Sequence, residues 1–189
     1  EPIAFDSAER VPFNPLVSIV PIETGCMDYC TFCATRRARG GLKSVDASLV
    51  VRRVERSIQN GALEVWLTGE DLGCYGFDLG LDLPFLLREV LSVEGNFKVR
   101  VGMMNPHHVK AIAGGLFPLF LDPRVYRFLH IPMQSGSNAI LNAMKRRYSV
   151  EEWLEVVGRA RALIPNVTIS TDVIAGFPGE TPEDFQCTL

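Results

Sequence analysis

Three cysteines, Cys26, Cys30 and Cys33, stand close together in the stretch TGCMDYCTFCATRRARGG, with Phe32 directly before the last of them. Their spacing is C-x3-C-x2-C. A [4Fe–4S] cluster contains four irons and is normally held by four thiolates. Three thiolates therefore leave one iron open to bind another molecule, and an open position is the mark of a catalytic metal site. The motif favours a cluster with a chemical task.

Zinc is the alternative metal, and it requires four protein ligands in a structural site. A zinc-stabilised RNA-binding module and an iron–sulfur module that only carries electrons both remain possible from the cysteines alone. The candidates for a fourth zinc ligand lack the paired spacing of known zinc motifs; they are Cys74, His107, His108 and His130.

Two basic runs stand on a chain whose net charge is −3. Arg36, Arg37 and Arg39 follow the cysteines, and the run 145–147 has the sequence KRR. Arginine binds phosphate and stacks on bases. These runs indicate either local contacts with RNA, which we expect for the three arginines, or two solvated loops.

Apolar β-branched segments alternate with segments of helical periodicity along the chain, a pattern typical of a parallel α/β sheet. In such folds the chemistry lies at the carboxyl ends of the strands. The five polar segments that follow the strands are therefore expected on one face. Strands are predicted at 16–22, 63–68, 98–104, 124–133 and 167–177, and helices at 48–61, 82–93, 107–121, 137–145, 148–165 and from 181 onward.

Composition is that of a globular protein and limits the function classes. The 189 residues include 47% hydrophobic and 22% charged residues, with five cysteines. An odd number of crowded cysteines argues against a disulfide framework and for reduced thiols. No apolar run is long enough to span a membrane, so we expect no membrane contact and a cytoplasmic location. Residues 1–15 are predicted to be a linker and 16–189 one domain, within a larger protein.

The cysteine motif resembles that of the radical S-adenosylmethionine (SAM) superfamily, C-x3-C-x-aromatic-C, with Phe32 in the aromatic position. The resemblance implies a partial (βα)6-type parallel barrel, here truncated after about five βα units. It also implies that Cys26, Cys30 and Cys33 hold a [4Fe–4S] cluster that binds SAM. Further residues match the superfamily's SAM-binding segments by position; they are Phe32, Gly69, Glu70, Gln134, Ser135, Arg146 and Ile174.

Each of these matches implies a role. Gly69 and Glu70 stand where the superfamily binds the amino group of SAM, and a carboxylate facing an ammonium is physically sensible. Gln134 and Ser135 would contact the ribose and methionine parts. Arg146 would bind a carboxylate. Ile174 would pack on adenine, although the element around it departs from the superfamily pattern: its first glycine is replaced, and its acid, Glu180, comes one position late.

The order of the motifs resembles the methylthiotransferase family, and ARGG and EDLGCYG resemble its branch that acts on threonylcarbamoyladenosine in tRNA. The resemblance implies that a 5′-deoxyadenosyl radical takes hydrogen from C2 of the base beside the anticodon, at position 37, and that a methylthio group replaces it. It implies tRNA as partner, an electron donor such as flavodoxin or ferredoxin, and two further domains. The sister branches act on isopentenyladenosine or on ribosomal protein S12. Cys74 and Cys187 are expected to be ordinary thiols.

Overall fold

The computed structural model describes residues 14–189. The predicted linker over residues 1–15 lies outside this range, except for Asn14 and Pro15. Within it, the chain forms strands and helices in the alternation that the sequence predicts. The strands are β1 (Val17–Pro21), β2 (Glu23–Thr24), β3 (Lys43–Ser44), β4 (Glu64–Thr68), β5 (Lys98–Val101), β6 (Phe128–His130) and β7 (Thr168–Ser170). The helices are α1 (Thr35–Arg39), α2 (Ala47–Gln59), α3 (Leu83–Leu91), α4 (Pro106–Leu116), α5 (Asn138–Ala143), α6 (Val150–Leu163) and α7 (Pro182–Thr188).

The longer strands are parallel and adjacent in chain order. β1, β4 and β5 form one ladder, and β6 pairs with β7. Isolated parallel bridges join Val99 to Val125 and Met103 to His130, so the two ladders continue one another. The carboxyl ends of all these strands consequently point the same way. β2 and β3 form a short antiparallel pair that the sequence analysis missed.

Helix boundaries follow local capping chemistry. The side chain of Asp46 accepts from the backbone N–H of Ser48 and begins α2, as a short polar side chain does at an N-cap. Ser149 and Glu152 form the expected capping box at α6, and α7 begins with another at Thr181. Gly61 follows α2 with a φ of 92°, which satisfies the backbone requirement at a helix end.

Three predicted strands and one predicted helix are shorter than expected. β5 ends at Val101, and β6 and β7 each keep three residues as regular strand. Beyond them the chain makes isolated bridges in place of a ladder, such as that from Gln134 to Val173. Pro132 lacks the N–H that a continuous ladder needs. The helix predicted at 107–121 ends at Leu116 and continues as a 3₁₀ segment to Leu121.

The crossover helices cover one face of the sheet. Val20, Val65, Val99 and Leu129 are fully buried there in the main hydrophobic core. The residues that alternate with them point to the opposite, uncovered face, because side chains alternate along a strand. That uncovered face is the inside of the partial barrel. Among the described residues, no helix is both long and apolar enough to cross a membrane.

Candidate functional site

The three-cysteine loop follows β1 and β2, at the carboxyl end of the sheet. Gly25 begins it with a φ of 81°, and a Cβ at this position would overlap the backbone of Gly40 and Gly41. The backbone N–H of Cys26 also donates to the carbonyl of Gly40 at 3.3 Å. The loop is thus held against the ARGG segment at close range, which only a glycine permits.

Each of the three cysteine sulfurs accepts one N–H group. The Sγ of Cys26 accepts from the backbone of Asp28 at 3.3 Å, and the Sγ of Cys33 accepts from the backbone of Thr35 at 3.4 Å. The Sγ of Cys30 accepts from Nη1 of Arg146 at 2.9 Å. All three cysteines are free. Three soft sulfur donors, each facing an N–H group, suit an iron–sulfur cluster.

The burial of Cys26 and the negative charges near it also favour a bound metal. Burial raises the pKa of the Cys26 thiol to about 11, and the nearby carboxylates of Asp71 and Asp28 add to the effect. A thiolate at this position therefore needs a positive charge next to it. A bound metal supplies that charge, so the residues present fit a cluster held by Cys26, Cys30 and Cys33.

Gly69 and Glu70 lie at the end of β4, beside the cysteine loop. The atom Oε2 of Glu70 is buried and has no hydrogen-bond partner within residues 14–189. Oε1 lies 3.8 Å from Nε of Arg39. A buried carboxylate oxygen without a partner is costly, and it fits a cationic ligand such as an ammonium group. The predicted role of Glu70 stays a prediction, with this atom in its favour.

Glu23 is a buried acid behind the same segment, and the sequence analysis missed it. Its Oε1 accepts from the backbone N–H of Asp71 at 2.9 Å, and a Cβ on Gly69 would overlap its carboxyl group. Burial raises the pKa of Glu23 to about 8, and the charges of Glu70 and Asp71 contribute. Gly69 is therefore needed for close packing on Glu23. No spacing rule in the sequence marks this contact.

Gln134, Ser135 and Ile174 come together where β6 and β7 end. Gln134 has a φ of 69°, and its carbonyl accepts from the backbone N–H of Ile174 at 2.9 Å. Ser135 is fully buried, and its hydroxyl accepts from the backbone N–H of Ser137 at 3.1 Å. The sequence analysis expected these residues to share one site, and the structure brings them side by side.

Arg146 lies beside the middle cysteine of the motif. It lies against Cys30 and stacks over the ring of Tyr148, with 4.9 Å from its Cζ to the ring centroid. Burial opposes the charge of Arg146, but Tyr148 and Cys30 outweigh burial and raise the pKa of the guanidinium. Its contact in this structure is a cluster cysteine, and carboxylate binding by Arg146 stays a prediction.

The three arginines after the cysteines fall into two groups. Arg36 is half-buried: its guanidinium donates to the carbonyl of Cys26 and lies 4.4 Å from the ring centroid of Tyr29. Arg37 and Arg39 are exposed. The sequence analysis treated the three alike, whereas the structure leaves Arg37 and Arg39 exposed, with Arg39 beside Glu70, and uses Arg36 to brace the loop.

Asp71, Cys74 and His108 form a buried cluster whose potential ligand atoms lie within 4.8 Å of one another. Hydrogen bonds already occupy it. Asp71 accepts from Nδ1 of His108 at 2.8 Å and from the backbone of Asn105 at 2.9 Å. Burial raises the pKa of the Cys74 thiol, which donates to the Asp71 carbonyl. This cluster ties the ends of β4 and β5 together, and the ordinary thiol expected at Cys74 stays a prediction.

Comparisons of sequence place the chain among known proteins. A family model described as the Radical SAM superfamily matches residues 20–189. A probable threonylcarbamoyladenosine tRNA methylthiotransferase of Pyrococcus abyssi is 51% identical over 168 residues, which are 89% of this chain and 40% of that protein. The threonylcarbamoyladenosine tRNA methylthiotransferase of Homo sapiens is 46% identical over 182 residues, 95% of this chain and 31% of that protein. The chain thus spans well under half the length of these relatives.

Solved structures show the same fold. A radical S-adenosylmethionine methyltransferase from Kitasatospora setae, solved with cobalamin and a [4Fe-4S] cluster, has a TM-score of 0.73 at 17% identity and covers 91% of this chain and 33% of its own. Coproporphyrinogen III oxidase from Escherichia coli has a TM-score of 0.60 at 18% identity, covering 93% of this chain and 41% of its own. The predicted fold class is confirmed.

Proposed function

This chain belongs to the radical SAM superfamily, and we propose that it is the core of a methylthiotransferase that acts on threonylcarbamoyladenosine in tRNA. The observation that carries the proposal is the set of three free cysteines on one loop at the carboxyl end of the sheet, each sulfur facing an N–H donor. We take residues 16–189 as one core domain.

In this proposal Cys26, Cys30 and Cys33 hold a [4Fe–4S] cluster, and SAM binds beside it. When bound, the cluster would supply the single electron needed for the reductive cleavage of SAM. The residues of the protein orient SAM and shield it from solvent. Glu70 receives the amino group of SAM, and Gln134 and Ser135 lie near its ribose and methionine parts. The side chains of Phe32 and Ile174 flank its adenine.

The relatives supply the substrate class. They carry the name of threonylcarbamoyladenosine tRNA methylthiotransferases, and their likeness covers most of this chain. The substrate proposed here is accordingly the modified adenosine at position 37, with methylthiolation at C2. Arg37 and Arg39 are exposed near the cluster loop and would contact the RNA backbone. The electron would come from a donor protein such as flavodoxin or ferredoxin, in the cytoplasm.

The test has two steps. First, the protein is reconstituted anaerobically with iron and sulfide, and EPR of the reduced sample is recorded with and without SAM. A cluster signal that shifts when SAM is added and is lost in Cys30→Ala supports an open iron. A spectrum that ignores SAM favours an electron carrier, and a colourless protein that holds zinc overturns the proposal.

Second, the full protein is incubated with tRNA, SAM, a sulfide source and a reductant, and the nucleosides are separated by mass spectrometry. The expected product is threonylcarbamoyladenosine that has gained a methylthio group. The same gain on isopentenyladenosine, or on ribosomal protein S12, would assign the chain to a sister branch instead. Omission of SAM is the matched control, because SAM supplies both the radical and the methyl group.

A further inference from the structure

The inside of the partial barrel carries a layer of side chains that the proposed SAM site does not use. We call it the inner layer: Ile19, Trp66, Arg100 and Phe128. In the strand register Ile19 lies opposite Trp66 and Trp66 opposite Arg100. Ile19, on the edge strand β1, is 53% exposed, and the other three side chains of the layer are only partly buried. The layer therefore lines open space and is not packed core.

Arg100 lies between the two aromatic rings of this layer. Its Cζ is 5.4 Å from the ring centroid of Trp66 and 5.1 Å from that of Phe128. These distances are within the range of cation–π contacts. Because rings on both sides already restrain the guanidinium, it loses little further conformational entropy when a ligand binds. Its N–H groups lie in the guanidinium plane and remain available to an acceptor.

No carboxylate compensates the charge of Arg100 within residues 14–189: the ion pairs there involve other arginines, lysines and histidines. In the strand register the nearest acid is Glu64 on β4, two residues before Trp66, the residue that pairs with Arg100. Its carboxylate accepts instead from Nε1 of Trp66 at 2.8 Å and interacts with the hydroxyl of Tyr126.

His130 and Asp172 also lie at this face, and their side chains meet at 2.9 Å. His130 lies two residues beyond Phe128 on β6, so the pair stands about 7 Å nearer the carboxyl ends of the strands. Asp172 is thereby occupied by His130. The inner layer lies below the mouth of the barrel, with a positive charge at its centre and no anion assigned to it.

We propose that Arg100 binds the carboxylate of the threonylcarbamoyl group of the substrate; this inference rests on the function proposed above. A guanidinium and a carboxylate match as two parallel N–H···O bonds. The threonylcarbamoyl group extends from N6 of adenine by several bonds and ends in that carboxylate. With the base at the mouth of the barrel, the group points down toward the inner layer. Arg100 then distinguishes this substrate from adenosines whose N6 group is apolar.

The experiment measures RNA binding, separately from turnover. Anticodon stem-loops with threonylcarbamoyladenosine, with its carboxylate methyl ester, or with plain adenosine are titrated by fluorescence anisotropy against the anaerobic full protein with SAM. The wild type is expected to bind the acid at least tenfold more tightly than the ester. Arg100→Met removes this ratio and leaves the affinity for plain adenosine within twofold. Arg100→Lys keeps a reduced ratio, because lysine retains the charge and lacks the fork.

Arg127→Met is the matched control, since Arg127 is an exposed arginine directly before β6 and donates to the carbonyl of Pro165. It is expected to keep the full ratio. A preference for the acid over the ester that survives in Arg100→Met, or that stays at the wild-type level in Arg100→Lys, overturns the inference. It leaves the proposed function standing. A wild type that binds acid and ester equally has the same two consequences. A wild type that binds none of the three RNAs overturns the proposed function and the inference with it. If Arg100→Met does not fold, the lysine variant decides.

Discussion

The guanidinium of Arg146 donates to the Sγ of Cys30 at 2.9 Å, across 116 residues of sequence. Arg146 follows α5, and Cys30 is the middle cysteine of the loop after β2. The backbone N–H of Thr31 also donates to the carbonyl of Met144 at 3.1 Å. A cation and a backbone contact from the β6–α6 segment thus fix the cysteine loop at one site.

This contact predicts that Arg146 helps to retain the cluster. Arg146→Met removes a charge-assisted bond to sulfur, which is worth about 1.5–3 kcal/mol. We expect the reconstituted protein to lose iron several-fold faster during gel filtration. Arg146→Lys should restore part of the retention. Arg161→Met, an exposed change on α6, is the control; equal iron loss in the control and in Arg146→Met would contradict the prediction.

The split among the basic residues predicts two separable defects. Arg36→Gln removes the contacts with Cys26 and Tyr29, and we expect iron content to fall below half of wild type. Arg37→Gln changes only an exposed charge. It should keep its iron, bind tRNA several-fold more weakly and lower the slope of log affinity against log salt by about one. Iron analysis and salt-dependent anisotropy measure the two effects. A normal iron content in Arg36→Gln would refute a bracing role.

Glu23 predicts an unusual dependence of stability on pH. Its pKa is 4.5 in the unfolded chain and about 8 in the fold, so the folded state holds a proton that the unfolded state releases. The contribution of Glu23 to the free energy of unfolding is therefore fully present below pH 4.5. It is lost as the pH rises toward 8. Glu23→Gln removes that loss. Near pH 7.5 it should raise the free energy of unfolding by about 2–4 kcal/mol.

Urea unfolding of the reduced, metal-free protein between pH 5 and pH 8.5 tests this. The gain in Glu23→Gln should grow with pH across that range. Glu55→Gln, on the exposed side of α2, is the control and should show no growing gain. A pH-independent difference between wild type and Glu23→Gln would show that the carboxyl group ionises normally in the fold.

The sequence predicted the main strands and helices because each carries its own signal. α6 has a capping box and helical periodicity, and β4 has an apolar run between turn residues. The lengths of β6 and β7 were overestimated, since the described chain beyond His130 and Ser170 makes one isolated bridge, from Gln134 to Val173, in place of a ladder. The cysteines were predictable because their spacing is local. The contacts of Glu23 with Gly69, and of Arg146 with Cys30, join distant segments and have no local pattern.

Gly25 offers a final test of how the cysteine loop is held, because comparison with other glycines separates the cost of backbone strain from the cost of a steric clash. Gly61 has a φ of 92°, and a Cβ added there would meet no other atom. Gly25 has a φ of 81°, and a Cβ added there would overlap the backbone of Gly41. Gly61→Ala should cost about 1–2 kcal/mol from backbone strain alone. Gly25→Ala adds a clash with backbone that cannot move aside, and we expect a loss above about 3 kcal/mol together with loss of iron.

Gly114→Ala is the control in the opposite direction. Gly114 lies inside α4 with open space around it and no positive φ, so alanine should stabilise the protein by up to about 1 kcal/mol. Urea unfolding ranks the three variants, and iron analysis follows the cluster. Equal losses for Gly25→Ala and Gly61→Ala would mean that the loop can leave the ARGG segment without cost. The close packing would then not be what positions the three cysteines.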